Sequence, residues 1–167
     1  MKSRILKKGF KRRSLRNKNK KSRRVRKSKV LYGGEKYKFL HGNYEGELFR
    51  KDKNSRELGP KIYPHGQGTM TYENGDVYTG NFTEGVHEGQ GKMTYADGCI
   101  YEGNFRRNRP HGQGTMTYKN GDVYEGTWYD GQKKGQVEMT YANGSKSIGY
   151  YNSEGKQDAF RVMSGPK

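Results

Sequence analysis

Cys99 is the only cysteine in the chain, so no disulfide framework is available and nothing points to an oxidising compartment. Apolar residues are scarce too: they make up 29% of the chain, against roughly 45–50% in ordinary globular sequences. A large aliphatic core is therefore excluded. No stretch approaches the roughly 18 consecutive apolar residues of a membrane helix, and the N-terminus lacks the apolar segment of a secretory signal. Acidic residues are absent from one region. Residues 1–30 hold none of the 17 Asp and Glu but 16 of the 34 Lys and Arg. The net charge of +17 thus sits almost wholly on one arm, and the remainder is near neutral, with 18 bases against 17 acids. An amphipathic transit peptide is not supported, because Ile5, Leu6, Phe10, Leu15 and Val25 are too few to form an apolar face.

What the chain does have is glycine, 25 of them, and tyrosine, 14 of them, and both recur at a fixed spacing. The segment HGQGTMTYENGDVYTG (65–80) returns as HGQGTMTYKNGDVYEG (111–126), with fourteen of sixteen letters the same. A step of 23 residues links Tyr78-Thr79-Gly80-Asn81-Phe82, Tyr101-Glu102-Gly103-Asn104-Phe105 and Tyr124-Glu125-Gly126-Thr127-Trp128. An earlier copy begins at Tyr44-Glu45-Gly46 and carries 11 additional residues near RKDKNSRELGP. The second halves read Gly68-Thr69-Met70-Thr71-Tyr72, Gly91-Lys92-Met93-Thr94-Tyr95, Gly114-Thr115-Met116-Thr117-Tyr118 and Val137-Glu138-Met139-Thr140-Tyr141. A fixed short period marks a repeat architecture. The reading is a basic arm (1–30), a repeat body (31–151) and a C-terminal tail or cap (152–167). The repeats fall at about 44–77, 78–100, 101–123 and 124–146, followed by a half-repeat at 147–151. Tyr32 to Phe39 resembles a worn second half.

Alternation of period two around Asn-Gly or Asp-Gly predicts antiparallel hairpins. A two-residue type I′ turn at Asn120-Gly121 would pair Lys119 with Asp122, Tyr118 with Val123 and Thr117 with Tyr124. Tyr124, Gly126 and Trp128 would then share a face with Thr117, and Met116 and Tyr118 would lie on the other. One such unit cannot stand alone. Ordering costs about 1–2 kcal/mol per residue, while each large apolar side chain returns roughly 1.5–3 kcal/mol. Neighbouring copies must stack. The fold expected is all-β: an elongated single-sheet antiparallel β-hairpin solenoid of about four 23-residue units, preceded by an extended or disordered basic arm. Its structural positions are Tyr44, Gly46, Tyr78, Gly80, Phe82, Tyr101, Gly103, Phe105, Tyr124, Gly126 and Trp128.

The pattern Y-x-G-x-[FW]-x-x-G-x-x-H-G-x-G at this period resembles the MORN repeat family (membrane occupation and recognition nexus) over about residues 32–151. Asn108 stands where the family prefers Gly, Lys134 replaces a His, Val137 replaces a Gly, and His87 comes one place early. The resemblance implies a β-hairpin solenoid used for scaffolding, protein contacts and sometimes membrane attachment, and it implies no catalysis.

The chemistry read from individual residues agrees. His41, His65, His87 and His111 follow the repeat and read as turn residues before Gly, not as a metal ladder, since no Cys or carboxylate cluster accompanies them. HGQG leads into a strand, whereas a dinucleotide loop would lead into a helix. Cys99 has no base partner, and Glu45, Glu102 and Glu125 form an exposed row. No enzyme activity, metal or cofactor is expected. The arm does suggest chemistry: Lys7, Lys8, Lys11, Arg12, Arg13, Arg16, Lys18, Lys20, Lys21, Arg23, Arg24, Arg26, Lys27 and Lys29 suit a polyanion bound without sequence readout. The expected function is a non-catalytic adaptor inside the cell, nuclear or within a nucleoprotein particle such as a ribosome or virion. Its repeats would bind a protein partner, and its arm would bind nucleic acid. The alternative is a tether on the cytoplasmic face of a membrane, with the arm and repeats on anionic headgroups. An exposed terminal strand at Gln157 to Met163 could also support a homodimer.

Overall fold

The computed structural model describes residues 29–31, 36–51 and 61–163, and every described element is a strand. In chain order these are β1 (Lys29–Leu31), β2 (Lys36–Phe39), β3 (Gly42–Lys51), β4 (Lys61–Tyr72), β5 (Val77–Thr83), β6 (Val86–Thr94), β7 (Ile100–Arg106), β8 (Arg109–Thr117), β9 (Val123–Tyr129), β10 (Gln132–Thr140), β11 (Lys146–Tyr151) and β12 (Gln157–Met163). They form one open antiparallel sheet in which each strand from β3 onward pairs with the next, while β1 and β2 both pair with β3. The all-β hairpin solenoid is thus what the chain builds. The arm up to residue 28 and Tyr32 to Glu35 lie outside the described residues.

Two kinds of connection alternate along the sheet. Tight two-residue turns sit at Glu84-Gly85, Arg107-Asn108 and Asp130-Gly131, where φ is 46° and 88°, 49° and 66°, and 53° and 87°. Positive φ at both positions is the type I′ signature. Asn108 accepts this conformation because asparagine tolerates the left-handed region. The Asn-Gly and Asp-Gly loops are different. At Tyr118–Asp122, the Gly121 N–H donates to the Tyr118 carbonyl at 2.9 Å, and the Tyr118 N–H donates to the Asp122 carbonyl at 2.8 Å. Gly121 has φ of 90°, whereas Asn120 is not among the residues with positive φ. This is a three-residue loop, a type I turn closed by a left-handed glycine.

The expected register is therefore corrected. Thr117 pairs with Val123 and Met116 with Tyr124. One extra loop residue shifts the pairing by one and moves every side chain of one strand to the other face. Met116 and Tyr118 consequently join Tyr124, Gly126 and Trp128 on a single face, and Thr117 moves to the opposite one. The two faces are not alike. One buries Tyr44, Tyr78, Tyr101, Tyr124, Phe82, Phe105 and Trp128 to 5% exposure or less. The other carries polar pairs such as Gln67–Asn81 at 2.8 Å, Gln90–Asn104 at 3.0 Å and Lys92–Glu102 at 2.5 Å, with Tyr129 and Tyr150 exposed among them.

A single sheet can bury rings this deeply only by rolling across its width. Tyr72 ends β4, whereas His87 begins β6 opposite Phe82, which itself faces Gly66. Six residues of flat strand would hold them about 20 Å apart, yet the Tyr72 hydroxyl lies 2.7 Å from His87 Nε2. The bend coincides with register shifts after Gly80, Gly103 and Lys134 and with the left-handed Gly66, Gly89, Gly112 and Gly135 on the longer strands. Bulges of this kind bend a strand and tighten its twist.

Candidate interaction groove

The groove inside the roll is built from one residue set per repeat. In the first strand of each unit the tyrosine lies down along the strand instead of standing up from it. Its hydroxyl donates to the carbonyl three residues on: Tyr44 to Glu47 at 2.7 Å, Tyr78 to Asn81 at 3.0 Å, Tyr101 to Asn104 at 3.0 Å and Tyr124 to Thr127 at 3.3 Å. This is why Gly follows two places later. A β-carbon on Gly80 would come within 2.6 Å of the Gly91 α-carbon and 2.7 Å of the Tyr78 hydroxyl. Burial raises the Tyr44 hydroxyl pKa to about 12 and drives those of Tyr78, Tyr101 and Tyr124 well above the ordinary phenol range.

Each flat tyrosine is held between two edge-on rings, one of them from the next unit; Tyr78, Tyr101 and Tyr124 take the other from their own unit, and Tyr44, which has Leu48 there, takes it from Phe39. Tyr78 meets Phe82 and Phe105, both at 5.0 Å; Tyr101 meets Phe105 at 5.0 Å and Trp128 at 5.2 Å. The ladder runs unbroken from Phe39 through Tyr44 to Tyr124, Tyr151 and Phe160. Edge-to-face geometry is the favoured one for such rings.

Over this floor stands a second row, the half-buried Tyr72, Tyr95, Tyr118 and Tyr141, one per unit at the loop edge. Across the groove from them lies a variable slot, occupied in turn by Pro64, His87, Pro110 and Lys133, each opposite Leu48, Phe82, Phe105 and Trp128. The early position of His87 puts it in this slot. It stacks on Tyr78 at 3.6 Å with planes 10° apart, is 2% exposed, and has its backbone N–H bonded to Asn108 Oδ1 at 2.6 Å. Burial lowers its pKa to about 4. In the fourth unit the Lys133 ammonium sits over three rings, Tyr124 at 4.6 Å, Tyr118 at 5.2 Å and Tyr151 at 5.4 Å. A cleft of about 490 Å³ opens beside the Tyr72–His87 pair, walled by His41, Asp76, Met93 and Asn108.

The structural residues read from the sequence all take part in the floor or its glycine gaps. The histidines do not behave as expected: only His41 is in a turn, and His65, His87 and His111 lie within β4, β6 and β8. The cationic residues from Lys7 to Lys27 lie outside the described residues; Lys29 is in β1, opposite Arg50. The rim tyrosines and the slot were not singled out from the sequence, although both recur at the same 23-residue step.

The MORN repeat family model matches residues 63–77, 78–100, 101–123 and 124–146, half of the chain. The chain belongs to the MORN repeat family. In MORN terms each matched unit from residue 78 onward opens on the flat tyrosine; the departures from the family pattern at Asn108 and His87 meet at the turn side, where the His87 N–H donates to Asn108 Oδ1, whereas Val137 lies buried in the floor opposite Gly126. MORN proteins are generally non-enzymatic repeat proteins whose units often serve contacts with proteins or membranes. Compared with curated proteins, the chain matches none at a significant level.

Proposed function

We propose that this MORN protein is a non-catalytic scaffold that takes a protein partner along its tyrosine-lined groove and is anchored by residues 1–30 to nucleic acid, as a component of a nucleoprotein particle. The observation that carries the reading is segregation. The excess of charge lies in the first 30 residues, and a half-buried row of Tyr72, Tyr95, Tyr118 and Tyr141, one per unit, stands over the buried aromatic floor on the groove face. Tyrosine is enriched at protein interfaces because its ring offers apolar area and its hydroxyl a hydrogen bond. Sixteen cations without an acid suit a phosphate polymer. If about eight meet phosphates, the log–log salt slope for a duplex is near −7.

The test is fluorescence anisotropy with a mixed-sequence duplex and a mixed-sequence RNA, using the full chain and a chain lacking residues 1–30. The deletion abolishes binding and leaves the cooperative unfolding of the repeat body unchanged. Flotation with phosphatidylserine vesicles that survives the deletion, with no duplex or RNA binding by the full chain, would replace this reading with the membrane tether.

A further inference from the structure

We propose that the β7–β8 hairpin tip, Arg106-Arg107-Asn108-Arg109, is a second phosphate-binding point that grips the same nucleic acid as the arm. The inference rests on the anchoring role given above to residues 1–30. The tip departs from its own repeat. The equivalent tips read Thr83-Glu84-Gly85-Val86 and Tyr129-Asp130-Gly131-Gln132, and neither carries a cation. Here Arg106 and Arg109 are direct cross-strand partners, and Arg107 stands at the turn with φ of 49°. Like charges placed directly opposite each other destabilise a strand pair, so the cluster has a cost that the fold itself does not require. Arg109 is offset by Asp130 at 2.7 Å. Glu88 accepts the Arg107 backbone N–H at 3.1 Å, not its guanidinium. Among the described residues neither Arg106 nor Arg107 has a side-chain ion pair, and both are exposed. Two exposed guanidinium forks on one hairpin tip match phosphate oxygens in pairs.

Position supports the pairing with the arm. Lys29 in β1 lies opposite Arg50, next to the β3–β4 connection, so the chain leaves the sheet at the edge that carries the two-residue turns. That edge includes the arginine tip, which lies between the turns carrying Glu84 and Asp130. From β1 to β7 there are five strand steps in the sheet order, about 24 Å at 4.8 Å per step. The 28 residues before β1 reach at most about 95 Å. One duplex of roughly seven base pairs spans both points.

The test is the salt dependence of binding to a fluorescein-labelled mixed-sequence 20-base-pair duplex, measured on the full chain. Arg106→Gln/Arg107→Gln lowers the magnitude of the log–log slope by about 2, at about 0.9 per lost contact, with no fall in melting temperature. Lys119→Gln on the opposite edge leaves the slope unchanged. An unaltered slope in the double variant overturns the proposal, as does a drop of about 0.9 in Lys119→Gln, the same per charge removed, which would make net charge the cause. A drop seen only on phosphatidylserine vesicles also overturns it, in favour of lipid. If the wild-type chain ignores the duplex, the anchoring role fails together with this inference. If it binds and only the arm deletion matters, this inference fails alone.

Discussion

The ring of Tyr101 lies over Gly114 on the neighbouring strand and leaves no room there for a β-carbon. Gly114→Ala is therefore an overpacking substitution and lowers stability by about 1–3 kcal/mol, read as a lower urea midpoint at constant slope. Gly131 separates crowding from backbone strain: its φ is 87° and an added Cβ meets nothing within 4 Å. Gly131→Ala costs only the left-handed backbone, about 1 kcal/mol, and is the milder of the two. The fourth unit shows what relief looks like. Val137 occupies the equivalent position, and Tyr124 yields, its ring 71° from Trp128 where Tyr101 stands 88° from Phe105.

Cys99→Asp makes the protein more stable. In the flanking loops an aspartate accepts the N–H of the next unit, Asp76 from Ala96 at 2.8 Å and Asp122 from Ala142 at 2.9 Å. Cys99 stands at the same place between them, one step from Lys119. Restoring the acceptor adds about 0.5–1.5 kcal/mol, seen as a rise in melting temperature at neutral pH. An unchanged or lowered value would show that the loop spacing there differs.

His87 makes folding sensitive to acid. Its folded pKa of about 4 lies below the ordinary histidine value of about 6.5, because burial disfavours the imidazolium. Between those values the unfolded chain binds the extra proton, so stability is full above about pH 6.5 and falls as the pH drops towards 4. Each pKa unit is about 1.4 kcal/mol, which puts the loss at about 2–4 kcal/mol. Urea unfolding from pH 7 to pH 4 in the wild type and in His87→Phe measures it, and the variant lacks that component of the slope.

Lys133 holds the fourth slot by charge, where Pro64 and Pro110 hold theirs by shape. Lys133→Met keeps the stem and removes the ammonium from the faces of Tyr118, Tyr124 and Tyr151. The expected loss is about 1–2 kcal/mol, measured by thermal unfolding of the wild type and the variant in the same buffer.

The period, the strands and the recurring tyrosine and glycine positions were legible in the sequence, because each rests on a letter that recurs every 23 residues; that the tyrosine lies over the glycine of the next strand was not. The pairing was not. Asn-Gly suits both a type I′ turn and the end of a three-residue loop, and only the burial of Met116 and Tyr118 beside Tyr124 decides between them. The tight turns went unread for a different reason: Arg107-Asn108 is flanked by Arg106 and Arg109, and Asp130-Gly131 by Tyr129 and Gln132, so neither stands between visibly alternating runs. The groove depends on the sheet rolling over itself, so that Tyr72 and His87, distant on any flat drawing, become partners. What the sequence did display was the shift of His87 by one place, which is a change of slot and not a worn letter.

Because every flat tyrosine shares an edge-on ring with the following unit, the ribbon behaves as a spacing gauge. Removing one whole copy, such as residues 101–123, would bring its two ends closer by about 10 Å while keeping every ring-to-ring joint, whereas removing half a copy would leave a tyrosine without its lid. Whatever is held at the two ends of this protein is thus set apart in whole-copy increments, with the copy number as the only adjustment.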